Sequence, residues 1–344
     1  MKITTVGVDL AKSAFQVFGV DQRGRQVVCK KLRRDQVVGY FAALPPCLVG
    51  MEACGGAHFW ASKIGALGHT VKLMAPQFVK PYVKTNKNDA RDAEAICEAV
   101  ARPNMRFVPI KTPQQQALLS LHRARQGMIK ARTAQANQIR GLLAEFGVVI
   151  ARGIHNVPKQ LPSVLAQDND DLPVPMRELL QRLLGLLRHY DEQVKQLEHE
   201  ITQWHRHSEA SRRLATIPGV GPLTASALVA SIGDAGNFRS GRHLAAWLGL
   251  VPRQHSTGGK SVLLSISKHG DSYLRTLLIH GGRSVLQSLA CKEPAEVADS
   301  WAARLALRRN KNVAAVAIAN KNARIAWALL THQCDFELGR TAMT

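Results

Sequence analysis

Cysteine is sparse and scattered: Cys29, Cys47, Cys54, Cys97, Cys291 and Cys334 lie far apart, with no Cys-x-x-Cys pair among them. That spacing indicates neither a zinc site nor a disulfide framework, and buried free thiols are the default. No apolar run approaches the roughly 18 residues needed to cross a bilayer. The opening MKITTVGVDL reads as a strand, not a signal peptide, so no membrane association is expected and a cytoplasmic location is. Acid is also short: Asp and Glu number 25 against 46 Lys and Arg in 344 residues, a net charge of +21. What is present is 46% hydrophobic, enough for a globular chain of two or three domains. So large a basic excess in a folded chain calls for a polyanionic partner, nucleic acid before membrane.

The few acids are placed with order. In residues 86–96, NKNDARDAEAI, Asp89 and Asp92 stand three apart at the mouth of a helix that Asn86 and Asn88 are suited to cap. Taken alone this is a well-started helix, since acids in a first turn suit the helix dipole. Upstream, residues 3–8 read as a strand ending in Asp9, with extended character continuing through Phe15, Val17 and Phe18. A turn at 21–25 then leads back into a strand at 26–32, completing an antiparallel meander. A helix over 36–44, a strand over 47–51 ending at Glu52, a helix over 58–67 and a strand over 70–74 follow. Three strands, then helix, strand, helix, strand, helix, is the order of a ribonuclease-H-like α/β fold, in which the first and fourth strands are neighbours. Asp9, Glu52, Asp89 and Asp92 would then meet at one edge. Crowded carboxylates repel unless a cation neutralises them, and hard oxygen ligands favour Mg²⁺, with Mn²⁺ possible. Two such ions would stabilise both the attacking and the leaving oxygen of a phosphodiester exchange.

GVDLAK around Asp9, GMEACGGAHFW around Glu52 and KNDARDAEAI around Asp89 and Asp92 resemble the DEDD transposases of insertion-sequence family one-ten, subgroup eleven-eleven, which are related to the Piv-type DNA invertases. The resemblance covers nearly the whole chain. It implies a RuvC-like catalytic domain over residues 1–110 that binds Mg²⁺ through those four acids.

Residues 111–210 are expected to form a helical middle. Over 111–149 one or two helices carry Arg123, Arg125, Lys130, Arg132 and Arg140 with a single acid, Glu145, which points to contact with a nucleic-acid backbone. The stretch 154–175, with Pro158, Pro162, Pro173 and Pro175, reads as a linker or an irregular connection. Then Leu180, Leu183, Leu187, Tyr190, Val194, Leu197, Ile201 and Trp204 form a heptad seam, a coiled coil whose partner is either the basic helix of the same chain or the same segment of a second copy. A homodimer or higher homo-oligomer is therefore expected.

Residues 211–335 read as a mainly α C-terminal domain, with a tail at 336–344. LATIPGVGPLTASALVASI has a helix-hairpin-helix pattern in which Gly219 and Gly221 let a backbone approach a phosphate. The alternative is a tight helix corner that needs the same glycines for packing. Farther on, Ser256-Thr257-Gly258-Gly259 reads as a flexible turn followed by Lys260, with Lys268 and Arg275 adding charge. Over 295–330, amphipathic helices put Trp301, Leu305, Val313, Val316, Ile318, Ile325 and Trp327 on the buried side and a crowd of Arg and Lys on the other.

In the family resembled, the loop after a Gly-Leu-x-Pro segment carries a nucleophilic serine, normally followed directly by glycine. Here Thr257, not Ser256, precedes Gly258, and the count from Pro252 also favours position 257; serine, however, is the less hindered nucleophile and the type that family uses, so Ser256 is the expected nucleophile and Thr257 the register alternative. The resemblance further implies DNA strand cleavage and rejoining through a phosphoserine link. It also implies a structured guide RNA that pairs with donor and target DNA, in a bacterial, nucleoid-associated protein. Two alternatives remain open: a metal-dependent nuclease acting on branched DNA without a covalent intermediate, and a non-catalytic nucleic-acid-binding protein.

Overall fold

Phe15, Val17 and Gly19 are buried on one side of a strand whose alternate residues are partly open, the period-2 pattern of a half-buried strand. That strand, β2 (Ala14–Val20), lies between β1 (Thr5–Leu10) and β3 (Gln26–Arg33), antiparallel to both. The Asp21 carboxylate closes the β2–β3 turn by accepting from the backbone N–H groups of Arg23 and Arg25, at 2.8 and 3.0 Å. The chain continues through α1 (Val37–Ala42), β4 (Leu48–Glu52), α2 (Ala57–Gly65), β5 (Thr70–Met74), α3 (Pro76–Val79), a 3-10 turn at Lys80–Tyr82, α4 (Asp89–Val100) and β6 (Phe107–Val108). The sheet order is β3-β2-β1-β4-β5-β6, with β1, β4 and β5 parallel. The first and fourth strands are thus neighbours, as the element order predicts. β6, only two residues long, is too short to leave a periodic trace in the sequence.

These coordinates form a computed structural model that describes residues 2–84, 88–167, 172–293 and 300–337. The expected cap Asn86, the acidic run 168–171, part of the segment 295–330 and nearly all of the tail lie outside the described residues. The chain separates into two compact units, 1–115 and 116–344. In the first, Val8, Phe15, Met51, Ile64 and Leu73 are fully or almost fully buried on the α1–α2 side of the sheet, each contributing roughly 1.5–3 kcal/mol by leaving water. Met74, Ile96, Ala99 and Val100 fill the opposite side beneath α4.

The second unit holds most of α5 (Pro113–Ala144), then α6 (Asn156–Ala166) and α7 (Val174–His207). The linker expected over 154–175 is corrected in part: α6 is a helix. Pro158 sits in its first turn, where no N–H partner is required, and Val157 and Leu161 are buried. The seam on α7 meets α5 of the same chain. Arg125 donates to Glu198, at 2.6 and 2.8 Å, and Arg132 to Asp191, at 2.9 Å, pairings that run antiparallel. Ile139 and Leu143 share a core with Leu180, Leu184 and Leu187.

Beyond lie α8 (Glu209–Leu214), α9 (Pro222–Ile232), α10 (Gly241–Trp247), β7 (Pro252–Thr257), β8 (Lys260–Ile266), α11 (Ser272–Ala290), α12 (Trp301–Arg308) and α13 (Lys311–His332). Two expectations are corrected here. The turn at 256–259 is the tip of a β-hairpin, β7 pairing antiparallel with β8. The buried side of α13 is small, built from Ala314, Ala315, Ala319, Ala323 and Ala326 with Ile318 and Leu329, while Val313 is 54% exposed and Trp301 37%. Close helix packing explains the alanines, since a side chain at Gly282 of α11 would strike the Ala315 carbonyl. A buried polar chain ties the helices together: His122 of α5 meets the Tyr273 hydroxyl of α11 at 2.9 Å and the Ser226 hydroxyl of α9 at 3.1 Å. Burial, with a smaller push from Arg125, lowers the His122 pKa to about 4, so the ring is neutral near pH 7. Among the described residues no helix is long and apolar enough to cross a membrane.

Candidate active site

Asp9 and Glu52 occupy the carboxyl ends of neighbouring parallel strands, one residue beyond the Val8–Met51 pair. Both project from the face that carries α4, because Gly7 and Gly50, two residues earlier on the same face, lie directly beneath that helix. A Cβ on Gly7 would fall 2.2 Å from the Ala93 carbonyl oxygen, and one on Gly50 would fall 2.7 Å from Val100 Cβ. Each strand therefore reads Gly-x-acid: the glycine seats the helix and the acid emerges beside it. This pairing was not recognised from the sequence, although a glycine inside a strand signals close approach of another backbone.

α4 starts where the sequence predicts. Asn88 accepts from the Ala90 N–H at 3.0 Å, and Asp89 and Asp92 fall in the first turn. Asp92 is half-buried, while Asp89 is exposed. The Glu52 carboxyl is held above its usual pKa by burial first, then by the charges of Asp9 and Asp92. The fold thus brings Asp9, Glu52 and Asp92 within electrostatic reach, and Asp89 lies at the margin. Among the described residues no three such side chains enclose a cation-sized space as they stand. The donor set nonetheless suits a hard divalent cation, being all carboxylate and mutually repelling. Cys54, just past Glu52, has its thiol pKa raised by burial and then by the Glu52 and Asp9 charges.

The expected nucleophile stands on a different kind of support. Every residue of β7 is exposed, and so is β8 up to Ile266. Gly258 and Gly259 turn the ribbon with φ of +56° and +75°, the two positive values that a tight two-residue hairpin requires. Ser256 pairs with Ser261 and Thr257 with Lys260, so the two candidate hydroxyls project from opposite faces of the ribbon. Gln254, on the Ser256 face, donates from Nε2 to Ser256 Oγ at 2.8 Å and to Ser261 Oγ at 3.0 Å. Sequence reasoning passed over Gln254, whose spacing of two from Ser256 is informative only once a strand is known. His255, Thr257, Lys260 and Val262 share the other face. Below, the ribbon is anchored by Ser267 N–H to the Val251 carbonyl at 2.8 Å, and by Arg275, which donates to the Leu248 and His269 carbonyls at 3.2 and 3.3 Å.

The remaining residues expected to bind nucleic acid divide. Arg123, Lys130, Lys260 and Lys268 are exposed. Arg125 and Arg132 are engaged by carboxylates of α7, and Arg275 holds the base of the ribbon, so these three have structural partners. Gly219, with φ of +83°, packs against Gly281 of α11, where a Cβ would meet the Gly281 carbonyl oxygen at 2.6 Å; packing alone accounts for it. Gly221, preceding α9, faces open space.

Comparison with known proteins agrees across both units. Residues 6–147 match a transposase family model of DEDD type, and residues 211–295 match the model described as Transposase IS116/IS110/IS902 family. A probable family 20 transposase of Pseudomonas aeruginosa is 52% identical over 341 residues, 98% of this chain and 100% of the relative. The transposase for insertion sequence element IS1111A of Coxiella burnetii is 45% identical over 337 residues, 98% of this chain and 92% of the relative. The pilin gene-inverting protein of Moraxella bovis is 28% identical over 203 residues, 55% of this chain and 51% of that protein.

Proposed function

Because the chain belongs to the IS116/IS110/IS902 family of DEDD transposases, we propose that it cuts and rejoins the DNA strands of an insertion sequence through a covalent link to Ser256. The observation that supports the catalytic part is the seating of α4 on Gly7 and Gly50, with Asp9 and Asp92 close enough for their charges to raise the Glu52 pKa. Asp9, Glu52 and Asp92 would hold Mg²⁺ or Mn²⁺, with Asp89 at the margin. When bound, such a cation polarises a phosphodiester and balances the charge that develops on its oxygens. The chain's own residues do the rest. The Asp9 and Glu52 backbones are fixed by strand register and that of Asp92 by the capped helix, so only the side chains would have to turn to gather round a cation.

Ser256 supplies the hydroxyl. Its oxygen bonds to phosphorus as its proton departs, and one ester oxygen leaves and is protonated. Rejoining runs in reverse, with a strand-end hydroxyl taking the phosphoryl group and the serine regaining its proton. Exposure of the whole ribbon supports this assignment, and the hydrogen bond from Gln254 orients the Ser256 oxygen. Thr257 faces the other way.

We further propose that a structured RNA directs the protein to donor and target, and that it works as a homo-oligomer. The net charge of +21 supports a long polyanionic partner. The α7 seam is occupied within the chain, so assembly would use other surfaces.

The test is a denaturing gel of the protein incubated with labelled DNA spanning the ends of its element, with Mg²⁺. A protein–DNA adduct is expected from the parent and from Thr257→Ala, and none from Ser256→Ala. Cleavage undiminished in the double Ser256→Ala, Thr257→Ala protein would instead favour a hydrolytic nuclease. Co-purification of a transcript from the DNA flanking the gene tests the RNA partner.

A further inference from the structure

At the far edge of the first unit's sheet, three aromatic rings each carry a cation. Lys72 Nζ lies 5.4 Å from the centroid of Phe107, the Arg106 guanidinium 5.8 Å from Phe78, and the Arg102 guanidinium 5.8 Å from Tyr82. Phe107 is 40% exposed. Phe78 and Tyr82 are half-buried, and Lys72, Arg102 and Arg106 are exposed. Lys80 and Lys84 add charge nearby, and one carboxylate, Glu98, reaches two of the five cations, Lys84 and Arg102. Cation–aromatic contacts at exposed sites contribute only about 0.5–1 kcal/mol each, little reason for a two-residue strand to hold a phenylalanine in water.

The strand register connects this patch to the carboxylates. Glu52 pairs with Met74, and Met74 with Phe107, so the three stand in one row across the sheet on the face that carries α4. Two strand spacings separate Glu52 from Phe107, about 10 Å between backbones. At a rise of about 3.4 Å per nucleotide, that is the reach of some three nucleotides of one strand.

We propose that Phe107, Phe78 and Tyr82, with Lys72, Arg106 and Arg102, form a stacking platform for unpaired bases of the DNA strand that the carboxylates cut. Rings and flat guanidinium groups offer surfaces of the size of a base, and the cations match the phosphates; stacked aromatics beside positive charge are how single strands are held without sequence reading. Duplex DNA, with its bases already stacked, gains nothing from the rings. The choice of DNA rests on the strand-cutting function proposed above, while the platform itself does not.

The test measures binding by fluorescence anisotropy, using the full chain in EDTA so that no cleavage intervenes. The probes are labelled oligo-dT, a labelled duplex of equal length and labelled oligo-U. Phe107→Ala is expected to weaken oligo-dT binding roughly tenfold, the scale of one lost stacking contact, and to leave duplex binding unchanged; Phe107→Trp is expected to retain parental affinity. Unchanged oligo-dT affinity in Phe107→Ala, an equal loss on duplex, or a loss on oligo-U without one on oligo-dT would overturn the proposal. Failure of Asp9→Asn to reduce cleavage would sink the strand-cutting function and leave this binding result standing.

Discussion

The carboxylate site and the serine ribbon differ in how their geometry is held. Asp9 and Glu52 are fixed from below by strand register, and Asp92 from above by a helix that rests on two glycines, so the fold of a single unit brings them together. The ribbon is held at its base only: its strands pair with each other and with nothing else among the described residues, and Val262, Leu263 and Leu264 are 53, 67 and 47% exposed. An isolated two-stranded hairpin is marginal in water. Charge stabilisation depends on groups placed before the substrate arrives. A nucleophile can be placed by what it binds.

Ser256→Ala should have the largest effect, eliminating the covalent adduct and lowering strand cleavage by roughly 10³-fold or more, as loss of a covalent nucleophile does; the gel assay reads both. Next, the two acids of α4 should separate. Asp92→Asn is expected to lower the cleavage rate by about 100-fold, the upper end of what even outlying metal-site partners cost, whereas exposed Asp89→Asn should fall less than tenfold; equal losses would show that the helix mouth acts as a unit. Gly7→Ala pushes a methyl into the Ala93 carbonyl and should cost about 1–3 kcal/mol by overpacking. Thermal melting should report that loss, and cleavage should fall much more than DNA affinity.

Acid separates the two units by another route. The His122 pKa is lowered from 6.5 to about 4 by folding, so the unfolded chain takes up a proton that the folded chain refuses as pH falls from 6.5 to 4. The second unit should lose about 3 kcal/mol over that window and nothing more from this group below it, readable as a fall in its denaturant midpoint. Gln254→Ala should have the smallest effect, a loss of a few-fold in adduct yield, in keeping with one neutral hydrogen bond of about 1 kcal/mol.

The legibility of the sequence follows the same division. The sheet could be read because β2 is half-buried and leaves an alternating pattern, and because Asp9 and Glu52 terminate their strands. α4 could be read from the Asn88 cap. The hairpin could not: with every residue of β7 exposed there is no buried face to write a period of two, and only the Gly258-Gly259 turn marked it. α6 was obscured by Pro158 and Pro162, which a short helix with buried Val157 and Leu161 tolerates. On α13 the large residues drew attention from the alanines that make the closest contact. Gly7 and Gly50 were plain in the sequence, but their role depends on a helix arriving from forty or more residues away.

The hairpin register has an irregularity between Pro252 and Gln254. Along a strand, position has parity: odd and even residues belong to opposite surfaces, and an extra residue exchanges them. Counted from Pro252 at the base, Gln254 and Ser256 stand at even spacing and Thr257 at odd, so Ser256 and not Thr257 continues the surface that starts at the proline. Deleting Arg253 would invert that parity with both hydroxyls still in the chain, offering a threonine to chemistry that had met a serine. Which hydroxyl the ribbon offers is thus written partly in residue type and partly in the count of residues between the proline and the turn.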